Sequence, residues 1–240
     1  MTSNWEVLVM PVPRQTALRW MKVSELRDPA PSADASSLQK WPEISALGST
    51  ALLRSPLLAL FCSIRCPGKL ILESYDLARA LRDAAVPVIS GFHTPMEKEC
   101  LDLLLRGNQP VVICPARSIE GMRLPSALRS AVEAGRLLLL SPFKQKDRRP
   151  TAKLAEERNR LVAALATEVF VAYANEGGKT EQLCRDLIAA GKPVLTFDSP
   201  ANAKLIGMGA IPMKPGELVQ RWNQSGRRVS LNSVPSSRVQ

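Results

Sequence analysis

The amino-acid sequence predicts an α/β fold: a doubly wound, mainly parallel, Rossmann-like sheet of about six strands with helices on both faces. Three observations predict it. Short apolar runs alternate with longer segments of helical spacing between residues 57 and 197, the order that builds βαβ units. The short runs are apolar almost throughout, as strands covered on both faces must be. Finally, 240 residues with 45% hydrophobic and 22% charged side chains suit one sizeable core with extensions and exclude wholesale disorder.

The elements follow in order. LLALFCSI (57–64), bounded by Pro56 and Pro67, reads as a buried strand. ILESYDLARALRDAA (71–85) places apolar residues at 71, 72, 75, 78, 81 and 85, a helical stripe. VPVIS (86–90) is a strand, and PMEKECLDLLLRG (95–107) a helix with Pro in its first turn and Gly past its end. PVVIC (110–114), PSALRSAVEAG (125–135), RLLLL (136–140) and TAKLAEERNRLVAALAT (151–167) repeat the pattern of strand and helix. EVFVAY (168–173), KTEQLCRDLIAAG (179–191) and KPVLTF (192–197) complete it, giving six strands and five helical segments.

This core is expected to occupy residues 44–213. Residues 1–43 form an N-terminal extension in which Trp5, Val7 and Val9 alternate like a short strand, and 28–37 is a polar loop. Residues 214–240 read as a basic, solvated tail: no acid follows Glu217, while Arg221, Arg227, Arg228 and Arg238 stand among Ser, Asn and Gln.

Thirty-two Lys and Arg against twenty-two Asp and Glu leave +10, an excess suited to a polyanion partner. No apolar run approaches the roughly 18 residues of a membrane span, so no membrane partner is expected. The first residues lack a charged segment followed by an apolar one, which points to the cytoplasm. Cys62, Cys66, Cys100, Cys114 and Cys184 show no C-x2-C pair; reduced thiols rather than a metal site are expected, and no cofactor.

Ligands of open α/β sheets bind beyond the carboxyl ends of the strands. Those positions hold Ser63, Arg65 and Gly68; Ser90, Gly91 and His93; Pro115, Arg117 and Ser118; Ser141; NEGGKT (175–180); and Asp198 with Ser199. The edge reads as a phosphate-binding rim. Its strongest piece is Gly177-Gly178-Lys179-Thr180 between a strand and a helix, where backbone N–H groups, a cation and a hydroxyl converge. It is not a Walker A loop, lacking the first glycine and spacer. His93, the single histidine, has no Ser-His-Asp pattern around it and reads as a loop contact. Lys144 to Arg160 carries seven cations and three acids, a local +4 that as a charge run reads as solvated surface. Within it Arg158 and Arg160 lie about 200° apart on a helix.

These pieces in this order resemble the Rossmann-like domain of the DNA-processing protein A family (DprA, or Smf), within the wider SLOG group of nucleotide-binding folds. The likeness spans about 44–213. ALGSTALLRSPLLALFCSIR is similar to the family's lead-in helix and the strand ending in a Gly-Ser/Thr-Arg motif, here Cys62-Ser63-Ile64-Arg65. DLARALRDAAVPVISG carries the Ser-Gly strand end as Ser90-Gly91, ERNRLVAALATEVFVAYA resembles the Arg-Asn-Arg helix and its strand, and GGKTEQLCRDLIAAGKPVLTF fits the last βαβ unit. Where the family reads G-x-G-I-D-x-x-A-H, this chain has Phe92 to Cys100, and the expectation is a short, divergent branch without a winged-helix domain.

The resemblance implies a DNA-binding protein without chemistry of its own, which holds single-stranded DNA in a positive pocket and loads a RecA-type recombinase; it leaves a homodimer open. Arg65, Arg158, Arg160 and Lys179 would hold phosphates. Ser63, Ser90, Gly91, Gly177, Gly178 and Thr180 would supply hydroxyl and backbone donors, with Asn159 inside the Arg-Asn-Arg motif. Phe92 is the one aromatic in the rim for base stacking. Two alternatives stand beside this: a small-nucleotide sensor of the same fold, and a nucleoside-monophosphate phosphoribohydrolase. Gly177 to Glu181 resembles part of the PGGxGTxxE motif of the latter, with Glu181 as the carboxylate that glycoside cleavage needs.

Overall fold

The computed structural model describes residues 17–25 and 35–231. The strand-like spacing of Trp5, Val7 and Val9, most of the 28–37 loop, Arg238 and the side chains of Arg227 and Arg228 lie outside the described residues. The chain runs β1 (Arg19–Lys22), α1 (Ala35–Leu38), β2 (Glu43–Gly48), β3 (Leu58–Phe61), α2 (Gly68–Asp83), β4 (Val88–Ser90), α3 (Pro95–Leu105), β5 (Val111–Ile113) and α4 (Ser126–Glu133). It continues through β6 (Leu137–Ser141), α5 (Ala152–Leu165), β7 (Glu168–Val171), α6 (Lys179–Ala189), β8 (Val194–Phe197), α7 (Ala203–Gly207), β9 (Ile211–Met213) and α8 (Pro215–Leu231).

One sheet takes all nine strands, in the order β1-β2-β6-β5-β4-β3-β7-β8-β9. The six expected strands are β3 to β8, all parallel to their neighbours in that series. The sheet is therefore Rossmann-like as expected, but three strands larger. β1 and β2 add an antiparallel edge beside β6, and β9 pairs parallel with β8 at the other edge. Each escapes a pattern search for a physical reason. β1 is half exposed, and β9 is three residues long with Pro212 at its centre, a residue tolerated only where a ladder partner is missing. The last three residues of β2 open the stretch taken for a lead-in helix; that stretch is a strand to Gly48 and then a short 3-10 segment, Thr50–Arg54.

Side chains alternate across the sheet. Along β3, Ala59 and Phe61 join a core completed by Leu161 and Val162 of α5 and Leu183 of α6. Leu58 and Leu60 enter the opposite core with Leu77 of α2 and Cys100 of α3. The flanks belong to these cores. Val23, Leu38 and Trp41 pack into the first, so part of the N-terminal extension is structural. The solvated tail is corrected more sharply: 215–231 is helical, and its Leu218 and Trp222 are buried in the second core, each contributing about 2 kcal/mol by burial. Arg221 is not presented to a ligand; its Nε donates to Glu168 Oε1 at 2.9 Å, at the amino end of β7. Among the described residues no helix is long and apolar enough to cross a membrane.

From β3 the chain lays β4, β5 and β6 to one side, then returns through α5 and places β7 on the other side of β3. The loops leaving β3 and β7 diverge there, and the divergence opens a crevice at the carboxyl edge.

Candidate functional site

A cleft of about 330 Å³ occupies this switch point. The β3 exit supplies Ser63, Ile64 and Arg65 to one lip, and Asn175, Lys179 and Thr180 at the start of α6 form the other. His93, Thr94 and Glu97 of the α3 start, with Arg158 and Asn159 of α5, complete it.

Two opposite charges are buried in the floor, Glu97 at 4% and Arg158 at 3% exposure. The local sequence dictates the first. Thr94-Pro95-Met96-Glu97 is a capping box: Thr94 Oγ1 accepts from the Glu97 N–H at 3.2 Å, and Glu97 Oε2 accepts from the Thr94 N–H at 3.2 Å. The same oxygen accepts from the His93 N–H at 2.8 Å, and Oε1 from the Cys62 N–H at 3.0 Å. Burial pushes the Glu97 carboxyl up, while these N–H donors and Arg158 pull it back toward the charged form. The N-terminus of α3 is thereby closed by the chain's own acidic side chain.

Arg158 Nη1 donates to the Cys114 carbonyl at 2.9 Å and its Nε to Asn159 Oδ1 at 2.7 Å. Burial lowers its pKa, and Glu97 opposes the shift. A Cβ on Gly91 would stand 1.1 Å from Nη1 and 1.8 Å from Cζ. Gly91 is thus required for close approach of a guanidinium to the end of β4, and it does not line the cleft. Ser90 is likewise internal: its Oγ donates to the Leu60 carbonyl at 2.6 Å and accepts from the Phe92 N–H at 3.3 Å. Phe92, held at φ +46°, is 5% exposed within the core. It has no free face for a base to stack on.

The groups left facing solvent are at the lips. Arg65 is exposed and has no ion-pair partner among the described residues. Lys179 Nζ lies 3.2 Å from Glu156 Oε1, an exposed pair whose small net worth allows exchange for another anion. Ser63 Oγ accepts from the Asn175 N–H at 2.9 Å and joins the lips. Gly178 is the N-cap of α6 and offers no side-chain acceptor, so this helix start, unlike that of α3, keeps first-turn N–H groups uncapped beside Thr180. Gly177, at φ +67°, shapes the turn and gives its N–H to Glu181 Oε2 at 3.1 Å. Neither glycine lines the cleft.

Arg160 faces away, as the helical angle requires. Its Nη2 lies 4.0 Å from Asp186 Oδ2, in a separate groove between α5 and α6. Glu181 is 6% exposed and committed to Arg185 at 3.0 Å and Lys204 at 3.2 Å; it does not line the cleft. The structure thus gathers Ser63, Arg65, Arg158, Asn159, Lys179 and Thr180, keeps Ser90, Gly91, Gly177 and Gly178 as supports, and removes Arg160. The residue that sequence reasoning missed is Glu97. The Thr-x-x-Glu spacing was its signal; the Cys62 donor needed the tertiary fold.

Fold and cleft define a Rossmann-like α/β protein with a cationic cleft at its topological switch point. The sequence matches the family of DNA recombination-mediator protein A over residues 30–220, and the chain belongs to that family. It is similar to DNA processing protein A of Streptococcus pneumoniae, with 19% identity and a TM-score of 0.70 over 87% of this chain and 75% of that one. It is also similar to DNA processing protein A of Helicobacter pylori, a structure described for its single-stranded DNA binding mode, with 17% identity and a TM-score of 0.68 over 88% and 98%. A molybdenum cofactor binding protein from Rippkaea orientalis shares the fold at 9% identity and a TM-score of 0.50, over 72% and 98%. At such identities the likeness is one of fold, and ligand choice rests on the site. No curated protein matches the chain in sequence.

Proposed function

We propose that the cleft binds single-stranded DNA, with Arg65 and Lys179 taking phosphates from opposite lips and Thr180, Ser63 and Asn159 adding polar contacts. The carrying observation is that these two exposed cations both line the switch-point cleft while the charged residues beneath them are internally engaged. Family membership and the described ligand of the Helicobacter pylori relative support the same reading. Arg158 acts through position, setting the floor against Gly91. A cytoplasmic role in recombination or DNA uptake, hand-over of the strand to a RecA-type recombinase, and a homodimeric working unit belong to this reading. A second reading, a small-nucleotide site, draws on the cleft's volume, which lies at the low end of the range for small-ligand pockets.

Fluorescence anisotropy with a labelled single-stranded oligonucleotide, from about 50 to 200 mM salt, tests both. Binding is expected to be salt-dependent and nearly indifferent to sequence. Removing Arg65 and Lys179 together should weaken it roughly tenfold and flatten the salt slope by about 1.4, two phosphates at about 0.7 each. Arg160→Ala should leave affinity and slope unchanged, since that side chain lies outside the cleft. Displacement of the strand by a nucleoside monophosphate would instead favour the small-nucleotide reading; no binding of the strand would remove the first.

A further inference from the structure

We propose that the loop between β6 and α5 is a second phosphate-contact zone, so that a strand seated in the cleft continues over the first turns of α5 onto Lys146, Arg148 and Arg149. This rests on the single-stranded DNA reading and extends its footprint.

Three observations carry it. The first is an excess of exposed cations over acids. An open depression of about 770 Å³ is lined by Lys144, Lys146, Arg148, Arg149 and Lys153 against Asp147 and Glu157. All five cations are exposed. Lys144 reaches Glu43 at 3.9 Å, whereas the other four have no ion-pair partner among the described residues. Glu157 Oε1 is engaged by the Trp41 indole N–H at 3.2 Å. A cluster of like charges raises the energy of the compact state, and among the described residues the acids of this depression, Asp147 and Glu157, with Glu43 on Lys144, are fewer than its five cations; a bound polyanion would offset the rest.

The second observation is that the cluster sits on a pinned turn. The Asp147 carbonyl accepts from the Ser118 N–H at 2.9 Å, and the Asp147 N–H donates to the Lys144 carbonyl at 2.8 Å. Thr151 caps the following helix, its hydroxyl accepting from the Leu154 N–H at 3.2 Å. The cations on either side of Asp147 are therefore displayed at a fixed place, at lower ordering cost on binding than a free tail would incur.

The third is position. The loop leaves the carboxyl end of β6, the sheet edge that also carries the cleft. Only α5 separates the two depressions: Leu154 and Glu157 line one, Ala155 and Arg158 the other. That separation is one helix width, about 10–12 Å, a gap that a single mononucleotide does not bridge and a short stretch of strand does. A polymer with repeating phosphates matches two cationic stations along one edge. An acidic protein docking on the loop alone would make no use of the cleft.

The test uses the full chain, a Lys146→Ala/Arg148→Ala/Arg149→Ala variant, and labelled oligothymidylates of about 6 and about 20 nucleotides, lengths that bracket common single-strand site sizes. The wild type should prefer the longer strand. The triple variant should bind the short strand as the wild type does, lose roughly tenfold on the long one, and lose about 2 units of salt slope there, three phosphates at about 0.7 each. The charge-reversed Lys146→Glu/Arg148→Glu/Arg149→Glu variant should lose more on the long strand. Unchanged affinity for the long strand, or an equal loss on both lengths, overturns the proposal while the cleft reading stands on the Arg65 and Lys179 variant. An equal loss from Arg160→Ala would also overturn it, because any exposed cation would then serve. If the wild type binds neither strand, the cleft reading fails first and this inference with it.

Discussion

Glu97→Ala is expected to lower the stability of the fold by about 3 kcal/mol, from loss of a helix cap and of acceptors for several backbone donors. The Cys62, His93 and Thr94 N–H groups all converge on this carboxylate, and its removal also takes from the buried Arg158 the acid that favours its charge. Full desolvation penalties on all three donors would sum higher. The site opens onto the cleft, however, and water entering the space left by the carboxylate recovers part of the loss. Glu97→Gln should fall between alanine and wild type: the amide keeps one oxygen acceptor but turns an NH₂ group against an N–H donor. Urea unfolding followed by tryptophan fluorescence, extrapolated linearly to water, measures the difference. A loss below about 0.5 kcal/mol, the scale of an ordinary surface change, would mean that the carboxylate does not hold the start of α3 against the end of β3.

What the chain discloses before folding, and what it withholds, follows from which contacts are local. β3 to β8 are legible because helices cover both faces of each and the text becomes nearly continuous Leu, Val, Ile and Ala. β9 carries Pro212 and is exposed at two of its three positions, so neither composition nor alternation marks it. α8 hides in polar text because only one stripe is buried; Leu218 and Trp222, four residues apart, are the visible trace of it. At the site, motif position brought forward Arg65, Lys179 and the Arg158-Asn159 pair, and the fold gathers these around one cleft. It could not distinguish a residue that faces the cleft from one that holds such a residue in place. That distinction is burial, and burial depends on partners distant in sequence: Ser90 on Leu60, Gly91 on Arg158, Cys62 on Glu97. Arg160 is the converse case, since helix geometry alone already separates it from Arg158.

Gly91→Ala is expected to cost about 2 kcal/mol, the scale of a lost hydrogen bond from a charged donor, and to cost almost nothing once Arg158 is already alanine. The backbone at Gly91 does not have a positive φ, so alanine meets no conformational penalty there. What it meets is the guanidinium, 1.1 Å from its Cβ. The side chain must withdraw, and the Cys114 carbonyl then loses the donor it has at 2.9 Å. A double-mutant cycle isolates this: the coupling between the two sites should be close to the whole cost of the single change, because each substitution removes the same contact. Additive losses would show that Gly91 serves some other neighbour. The cycle has a second readout that a purely structural glycine would not move. Arg158 already lines the cleft, and that is the open volume into which the displaced guanidinium can turn. There it joins Arg65 and Lys179 as a third cation at the lips. Gly91→Ala should therefore bind single-stranded DNA with a salt slope steeper by about 0.7 while being less stable. Gly91→Ala combined with Arg158→Ala should show neither change relative to Arg158→Ala.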